Sequence, residues 1–202
     1  ALPISYQHLP DQLSSSKSSM LDVQKNLLLP IYPKDLEEQV MWHEQSILLR
    51  PIKPEDSDEH QRFFEALSKD DVHMRLFYSM RELQASQLAR LTQIDYDHEM
   101  AFIAVRKRTD GSDETLGVVR GITDAENKSA EFAIIIRSDL KAQGLGLLLM
   151  NKLIAYFRHR GIIALVGEML SDNTAMHELV HHLGFTLHSE PLDGTMTLRL
   201  NL

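Results

Sequence analysis

The run from Ala130 to Tyr156, AEFAIIIRSDLKAQGLGLLLMNKLIAY, restricts the fold more than any other part of the sequence. Its apolar start predicts a buried strand, the closely spaced Gly144 and Gly146 predict a tight turn, and the leucine-rich remainder predicts an amphipathic helix. No capping residue precedes this helix, so its first backbone N–H groups lack a side-chain acceptor. They point toward the region beyond the end of the strand. Such a helix end binds phosphate through backbone donors. The run therefore predicts a mixed α/β chain with an anion site.

The glycine spacing alone is weak evidence for a phosphate site. A GxG turn also joins an ordinary strand to a helix where two backbone segments pass closely. At this turn the sequence contains neither the GKS or GKT of a nucleotide P-loop nor a complete GxGxxG. The pattern favours a phosphate site of a different kind from these two nucleotide sites.

The remaining elements are predicted from hydrophobic periodicity and turn residues. Strands are predicted at 46–52, 99–108, 115–123, 129–137 and 162–170, helices at 54–68, 82–93, 144–160 and 173–183, and two closing strands on either side of Asp193 and Gly194. The turn-forming DGSDE between two of these strands predicts a hairpin. The predicted class is α/β, more narrowly α+β, with a mixed, mostly antiparallel twisted sheet flanked by helices.

Charge and composition narrow the possible partners and the compartment. The chain has 202 residues, enough for one sizeable core, and a formal net charge of −8, which disfavours nucleic acid and anionic membranes as partners. It contains no cysteine, which excludes disulfides and thiolate metal sites and fits a reducing compartment. No apolar run reaches about 18 residues, and no signal-peptide pattern is present. We expect a cytoplasmic protein.

The first part of the chain differs from the rest in composition. Residues 1–45 contain the run SSSKSS and four of the seven prolines, with little strand or helix periodicity. We expect little regular structure there and interpret the segment as a linker or the end of a preceding domain. The regular patterns begin at Ser46 and continue to Leu202. Because the chain begins with Ala, we expect a processed product or a piece of a longer protein.

The predicted last helix contains a literal HExxH motif, formed by His177, Glu178 and His181. Zinc proteases use this spacing to hold a metal ion and to activate water. A metzincin needs a third histidine at the position of Leu187, whereas His188 follows one residue later and points to the other face of a strand. We expect a partly exposed helix face here and no metal, with a zinc hydrolase as the less favoured alternative.

Four motifs occur in the order typical of one known family. KAQGLG at 141–146 is similar to the R/Q-x-x-G-x-G/A signature of the GNAT acetyltransferases, with Lys141 in place of Arg or Gln. Glu131 precedes it on the strand, Asn173 follows the next strand, and the LGF that closes the last helix lies at 183–185. Residues 46–202 therefore resemble a GNAT domain, which implies the GNAT fold.

The resemblance also implies acetyl-CoA as cosubstrate and a set of residues that contact it. The matching positions are Ile134, Ile135, Ile136, Lys141, Ala142, Gln143, Gly144, Leu145, Gly146, Leu147 and Asn173. In the family, the strand backbone at 134–136 binds the pantetheine arm and the N–H groups of 142–147 hold the pyrophosphate. The isoleucines are also typical core residues. Asn173 is expected to contact pantetheine or shape the cleft, and capping of the last helix is an alternative role.

Glu131 matches the position of the family's general base. A lysine ammonium has an ordinary pKa of about 10.4, so some group must accept its proton before or during attack on the thioester. Asp124 and Glu126 are weaker candidates for this role, and a solvent-facing strand residue is the alternative for Glu131. Many GNAT enzymes protonate the departing thiolate with a tyrosine whose position here is Val180. Direct proton donation from that position is excluded.

A narrower resemblance lies upstream. The run IYPKDLEEQVMWHEQSILLRPIKPEDSDEH at 31–60 is similar to the junction in bacterial protein lysine acetyltransferases of the Pat type, where an acyl-CoA synthetase-like domain precedes a GNAT domain. This resemblance implies protein lysines as acceptors, in metabolic enzymes such as acetyl-CoA synthetase. We expect the segment 70–82 to form the acceptor wall, or else a plain helix connection. A regulatory domain that senses acetyl-CoA without catalysis is the alternative function.

Overall fold

One eight-stranded sheet, with helices on both faces, organises the part of the chain that the structure describes. The computed structural model describes residues 30–70, 85–189 and 194–202. The strands are β1 (Glu38–Trp42), β2 (Gln45–Pro51), β3 (Glu99–Lys107), β4 (Asp113–Thr123), β5 (Ser129–Ile136), β6 (Ala164–Leu170), β7 (Thr186–Ser189) and β8 (Thr195–Asn201). The α-helices are α1 (Ser57–Glu65), α2 (Ala85–Thr92), α3 (Leu145–His159) and α4 (Thr174–Leu183). Short 3₁₀ turns occupy Lys34–Leu36, Pro54–Asp56 and Ser138–Leu140.

The sheet is antiparallel except at one junction. Its strand order is β1-β2-β3-β4-β5-β6-β8-β7, and only β5 and β6 run parallel. The predicted hairpin is confirmed, since β3 and β4 pair from Glu99↔Ile122 to Lys107↔Asp113. The predicted mixed fold with a mostly antiparallel sheet is also confirmed. The parallel junction follows from α3, which crosses from the end of β5 to the start of β6.

Two apolar cores lie on opposite faces of the sheet. One contains residues of α3 and α4 with Ala130 and Phe132 of β5, and the other contains residues of α1 with Ile135. Because side chains alternate along a strand, the even-numbered residues of β5 face α3 and α4, and the odd-numbered ones face the side of α1. Glu131 therefore lies on the α1 face.

Two glycines allow close approach between elements. A Cβ on Gly121 would collide with the Phe157 ring, so this glycine lets α3 lie directly against β4. A Cβ on Gly167 would lie 2.7 Å from the Phe132 ring, so β6 makes room there for an aromatic side chain of β5. Since packed interiors have no space for such overlaps, both positions need a residue without a side chain.

The strand β1 corrects one expectation from the sequence. It lies within the segment for which little regular structure was predicted, and the compact unit that contains the sheet begins at Tyr32. Four of its five residues are exposed or half-buried because β1 is an edge strand, so its sequence lacks a strong apolar alternation. The assignment of residues 1–45 to a linker or a preceding domain stays a prediction.

Some predicted segments fall outside the described residues. They are the serine-rich run, nearly all of the predicted acceptor segment 70–82, the start of the helix predicted at 82–93, and Asp193 in the closing turn. The described part of that helix is α2. None of the helices within the described ranges is both long and apolar enough to cross a membrane.

Candidate active site

A cleft opens where β5 and β6 separate. Their parallel pairing spans three residue pairs, from Ser129↔Ala164 to Glu131↔Val166, whereas β5 continues to Ile136. The Phe132 ring lies over Gly167 at the point of separation and contacts Phe185 with ring centroids 5.1 Å apart. Beyond it, residues of β5, β6, α3 and α4 line a cavity of about 480 Å³. A cleft of this size accommodates a small extended ligand between the two strands.

The segment 141–147, here called the glycine loop, closes one end of the cavity. Ala142 and Gly144 adopt left-handed backbone angles, with φ of 56° and 88°, and α3 begins at Leu145. The first intrahelical bond is donated by the N–H of Leu148 to Gly144. Within the described ranges, the N–H groups of residues 145–147 have no hydrogen-bond acceptor. These three donors are available to an anion, which the positive end of the helix dipole also attracts.

Two other features of the glycine loop suit an anion. The first turn of α3 contains no acidic residue and no side-chain cap, so nothing in that turn competes for its N–H groups. Lys141 lines the cavity, and burial lowers the pKa of its ammonium group. Desolvated cations gain more from an anionic partner than exposed ones do. The glycine loop therefore combines backbone donors with one partly desolvated cation.

Glu131 lies at the point where β5 leaves β6. Its side chain is exposed and lines the cavity, and none of the described residues forms a hydrogen bond or ion pair with it. The rival carboxylates are engaged in their own turn. Asp124 accepts hydrogen bonds from the N–H groups of Lys128 and Ser129, and Glu126 forms an ion pair with Lys128. Of the three carboxylates, Glu131 alone lines the cavity.

Asn173 and Val180 lie on the α4 side of the cleft. The Asn173 side-chain oxygen accepts a hydrogen bond from the N–H of Met176 at 3.1 Å, so Asn173 is the N-cap of α4. It also lines the cavity, and its amide NH₂ remains available as a donor. Val180 is fully buried and carries no proton that could reach a thiolate. The predicted capping role of Asn173 is thus observed.

The HExxH histidines belong to no group of three metal ligands among the described residues. His177 bonds through its Nε2 to the backbone oxygen of Ser171 at 3.0 Å, and His181 is exposed. In the part of the chain that the structure describes, no three His, Asp or Glu side chains are close enough together to hold a metal ion. The arrangement of possible metal ligands on this helix therefore does not fit the site of a zinc hydrolase.

Most of the predicted site residues meet at this one cavity. The predicted positions that line it are Glu131, Ile134, Ile135, Ile136, Lys141, Ala142, Gly144, Leu145, Gly146, Leu147 and Asn173. Ile135 belongs to the core on the α1 face, while Ile134 and Ile136 pack against the other core, so these positions serve both packing and lining. Gln143 does not line the cavity; its backbone oxygen accepts hydrogen bonds from residues of the β1–β2 turn.

The cavity also contains charged residues that the sequence reasoning missed. Glu168 of β6 is exposed and lines it. Since Leu165 and Met169 face the α3 core, strand alternation places Glu168 on the same face as Glu131. Arg120 also lines the cavity, forms an ion pair with Glu99 and donates to the Leu91 carbonyl oxygen at 2.6 Å. The alternation of VGEML could have revealed Glu168, but no local pattern predicts the pairing of Arg120.

Comparison with known proteins identifies the family. The family model described as Acetyltransferase (GNAT) domain matches residues 46–186. The chain is also 31% identical over 152 residues to an acetyltransferase of Pseudomonas aeruginosa, which covers 75% of this chain and 81% of that protein. The chain belongs to the GNAT acetyltransferase family. The resemblance inferred from the four ordered motifs is therefore confirmed.

Two further relatives connect this GNAT chain to Pat proteins. The acetyltransferase Pat of Mycolicibacterium smegmatis is 26% identical over 151 residues, which cover 74% of this chain and 44% of that protein. The chain thus spans less than half the length of that relative. The GNAT domain of PAT from S. lividans has the same fold, with a TM-score of 0.75, 24% identity and coverage of 85% of this chain and 99% of that domain.

The cleft fits the cosubstrate of GNAT proteins, acetyl-CoA. Three unsatisfied N–H groups at the start of α3 suit a pyrophosphate, and the splayed edge of β5 offers backbone groups to an extended amide chain. A Cβ added to Gly146 would lie 3.3 Å from the Leu179 side chain, which is a tight contact. The glycine therefore allows α4 to lie close to the start of α3. These features make the cleft the candidate site for acetyl-CoA.

Proposed function

We propose that this protein transfers the acetyl group of acetyl-CoA to the ε-amine of lysine side chains in protein substrates, with Glu131 as general base. The observation that carries the proposal is that Glu131 and the glycine loop line one cavity from opposite ends of β5. The strand β5 and the 3₁₀ turn Ser138–Leu140 thus link the base to the anion site. The orientation of the acceptor amine relative to the thioester then follows from a rigid element.

In the proposed reaction the chain must remove protons from a cationic acceptor. An ammonium loses one proton to become a nucleophile, and the nitrogen loses a second when the amide forms. Glu131 would accept a proton directly or through a water molecule, because its carboxylate is exposed and not engaged by the described residues. Its position on the α1 face makes this the side from which we expect the acceptor to approach.

The remaining site residues would bind the cosubstrate. Acetyl-CoA supplies an activated acyl group whose thiolate is a good leaving group, since thiols ionise near pH 8.5. The N–H groups of the glycine loop would hold the pyrophosphate, and the backbone at 134–136 would bond the pantetheine amides as an added strand would. Because Val180 cannot give a proton, the thiolate would leave unprotonated or take a proton from water.

Charge at the cavity supports a cationic acceptor. Glu131 and Glu168 lie on the same face of the sheet, one on each side of the separation between β5 and β6. Two carboxylates there favour a positively charged group over a neutral or anionic one. The net charge of −8 also favours acceptors whose reactive lysine lies among basic residues. Acetyl-CoA synthetase and other metabolic enzymes are the proposed acceptors, on the basis of the Pat similarity.

Mass spectrometry of lysine acetylation tests this proposal. The chain is incubated with acetyl-CoA and candidate proteins, including an acetyl-CoA synthetase, and acetylated sites are mapped. We expect acetylation of a small number of lysines that depends on both the enzyme and acetyl-CoA. Transfer to small amines such as polyamines, with none to proteins, would contradict the proposed acceptor class.

Variants of two glutamates test the proposed base. Glu131→Gln should lower kcat by about 100- to 10,000-fold while the affinity for acetyl-CoA stays unchanged, because only the proton acceptor is lost. Glu126→Gln is the matched control, since Glu126 is an exposed carboxylate that does not line the cavity. Equal activity of both variants would reject Glu131 as the base. Acetyl-CoA binding by a wild-type protein without any turnover would support the sensing domain instead.

A further inference from the structure

The turn between β1 and β2 contacts the glycine loop through side chains. The indole Nε1 of Trp42 donates a hydrogen bond to the backbone oxygen of Gln143 at 2.8 Å. The imidazole Nε2 of His43 lies 3.0 Å from the same oxygen, and the two rings meet edge to face with centroids 4.8 Å apart. Trp42 is the single tryptophan of the chain. Two adjacent side chains therefore fix one carbonyl group, about 100 residues away in the sequence.

This contact determines the direction of a backbone donor in the glycine loop. A trans peptide is planar, so the C=O of Gln143 and the N–H of Gly144 point in opposite directions. With the oxygen held toward the β1–β2 turn, the N–H of Gly144 points away from it. Gly144 lines the cavity and Gln143 does not, which agrees with this orientation.

The two side chains are themselves held firmly. Trp42 is only 7% exposed and belongs to the core shared with α3 and α4. His43 and Glu44 form the turn with φ of 47° and 61°, angles that residues other than glycine rarely adopt. Strained backbone of this kind persists where the surrounding structure imposes it, often near functional sites. The core packing of Trp42 and the left-handed turn therefore hold the two side chains in place.

We propose that Trp42 and His43 are positioning residues that orient the Gln143–Gly144 peptide for the pyrophosphate of acetyl-CoA. Neither side chain lines the cavity, so both act through the peptide that they hold. The inference rests on the proposed use of acetyl-CoA by this chain. It also gives β1, the edge strand upstream of the family match at 46–186, a specific role at the cosubstrate site.

Ligand binding by three variants tests the inference. Trp42→Phe removes the indole donor and keeps an aromatic ring, and His43→Ala removes the exposed imidazole. His177→Ala is the matched control, because its ring bonds to a backbone carbonyl at the same distance of 3.0 Å, but that carbonyl belongs to Ser171 and not to the glycine loop. The dissociation constant is measured for CoA and for pantetheine, which lacks the pyrophosphate.

We expect Trp42→Phe and His43→Ala each to weaken CoA binding by about three- to tenfold, since one neutral hydrogen bond contributes about 1 kcal/mol. Pantetheine binding should stay unchanged in both variants, and His177→Ala should bind both ligands as the wild type does. Equal weakening for CoA and pantetheine would indicate a general structural role and overturn the inference, as would unchanged CoA binding. A wild-type protein that binds no CoA would overturn the proposed function itself.

Discussion

The glycine loop and the α1 face of the sheet differ in whether their polar groups are paired within the protein. The glycine loop presents backbone N–H groups and places one partly buried cation, Lys141, beside them. The α1 face instead contains a buried charge cluster, which consists of Arg50, Asp56, His60, Glu99 and Arg120, all less than 9% exposed. In the cluster every charge has a partner inside the protein, whereas the backbone N–H groups of residues 145–147 have no acceptor among the described residues.

This difference separates polar groups that stabilise the fold from polar groups that are available to a ligand. Arg50 and Asp56 form a bidentate pair with N···O distances of 2.8 and 2.6 Å, and Asp56 also accepts a hydrogen bond from the N–H of Lys53. Burial lowers the pKa of Arg50, but the hydrogen bonds and the charge of Asp56 raise it by more than burial lowers it. The net pKa lies above its ordinary value, so the guanidinium stays charged. Such pairs are needed once they are buried, because an unpaired buried charge is costly.

Breaking the buried pair should have the largest effect on stability. Asp56→Ala removes the bidentate partner of the Arg50 side chain, which is 4% exposed, and leaves it the Asp113 carboxylate at 3.6 Å. The variant should lower the free energy of unfolding by about 3–5 kcal/mol. Denaturant unfolding measures this change. Glu126→Ala is the control, because its pair with Lys128 is more than half exposed and should contribute less than about 1 kcal/mol. A loss as small as that of the control would show that Arg50 finds other partners.

Straining the glycine loop should instead affect ligand affinity. Gly144→Ala adds a Cβ that meets no atom within 4 Å, but alanine disfavours the φ of 88°. Rotation of the backbone at Gly144 changes the direction of the neighbouring N–H groups relative to a bound anion. We therefore expect acetyl-CoA affinity to fall by about tenfold or more. Titration calorimetry measures it.

Gly161→Ala provides the matched control for this experiment. Gly161 follows the other end of α3, has a φ of 76°, and likewise meets no atom within 4 Å. Both variants should lose about 1–2 kcal/mol of stability from the same backbone strain. Only Gly144→Ala should lose affinity, and equal affinities would contradict a role of the glycine loop in binding.

The buried charge cluster also predicts a pH dependence of stability. The pKa of His60 is lowered to about 4, mainly by burial and secondly by the nearby charge of Arg120, while the charge of Asp56 partly opposes both. The neutral imidazole is therefore the folded form, and its Nδ1 has no hydrogen-bond partner among the described residues. Below the ordinary pKa of 6.5 the unfolded chain binds a proton that the folded chain does not, so stability falls as the pH decreases toward 4.

The expected loss between pH 7 and pH 5 is about 2 kcal/mol from this one histidine. Denaturant unfolding at a series of pH values measures it, and His60→Gln should make this part of the profile nearly flat. His98→Gln is the control, since His98 is exposed. An unchanged slope in His60→Gln would mean that His60 is not the group responsible.

The same comparison explains what the sequence could and could not predict. The strand, glycine loop and helix are encoded locally, by apolar periodicity and two glycines, and the helix predicted at 144–160 is observed at Leu145–His159. The pairing of Arg120 with Glu99 depends on the register of β3 and β4, and the Trp42–Gln143 contact joins residues 101 positions apart. Neither is visible in a local pattern. The alternation of VGEML assigns Glu168 to one face of its strand, but it does not reveal that this face lines a cavity. The roles of the site residues stay predictions.

Relaxing the glycine loop should have the smallest effect. Ala142 has a φ of 56°, which costs an alanine about 1 kcal/mol, so Ala142→Gly removes this strain from the folded state. Glycine also gives the unfolded chain more conformational freedom, which costs about 0.5–1 kcal/mol on folding. The two terms nearly cancel, so we expect the free energy of unfolding to change by less than about 0.5 kcal/mol.

Acetyl-CoA affinity of Ala142→Gly should fall by less than about threefold, because the Trp42 and His43 contacts to Gln143 still hold the loop. Denaturant unfolding and titration calorimetry measure the two quantities on the same samples. A large loss of affinity without a change in stability would show that the narrow left-handed region available to Ala142, rather than the contact from the β1–β2 turn, preorganises the donors. The glycine loop would then be preorganised by its own backbone conformation, and Trp42→Phe should bind CoA as tightly as the wild type.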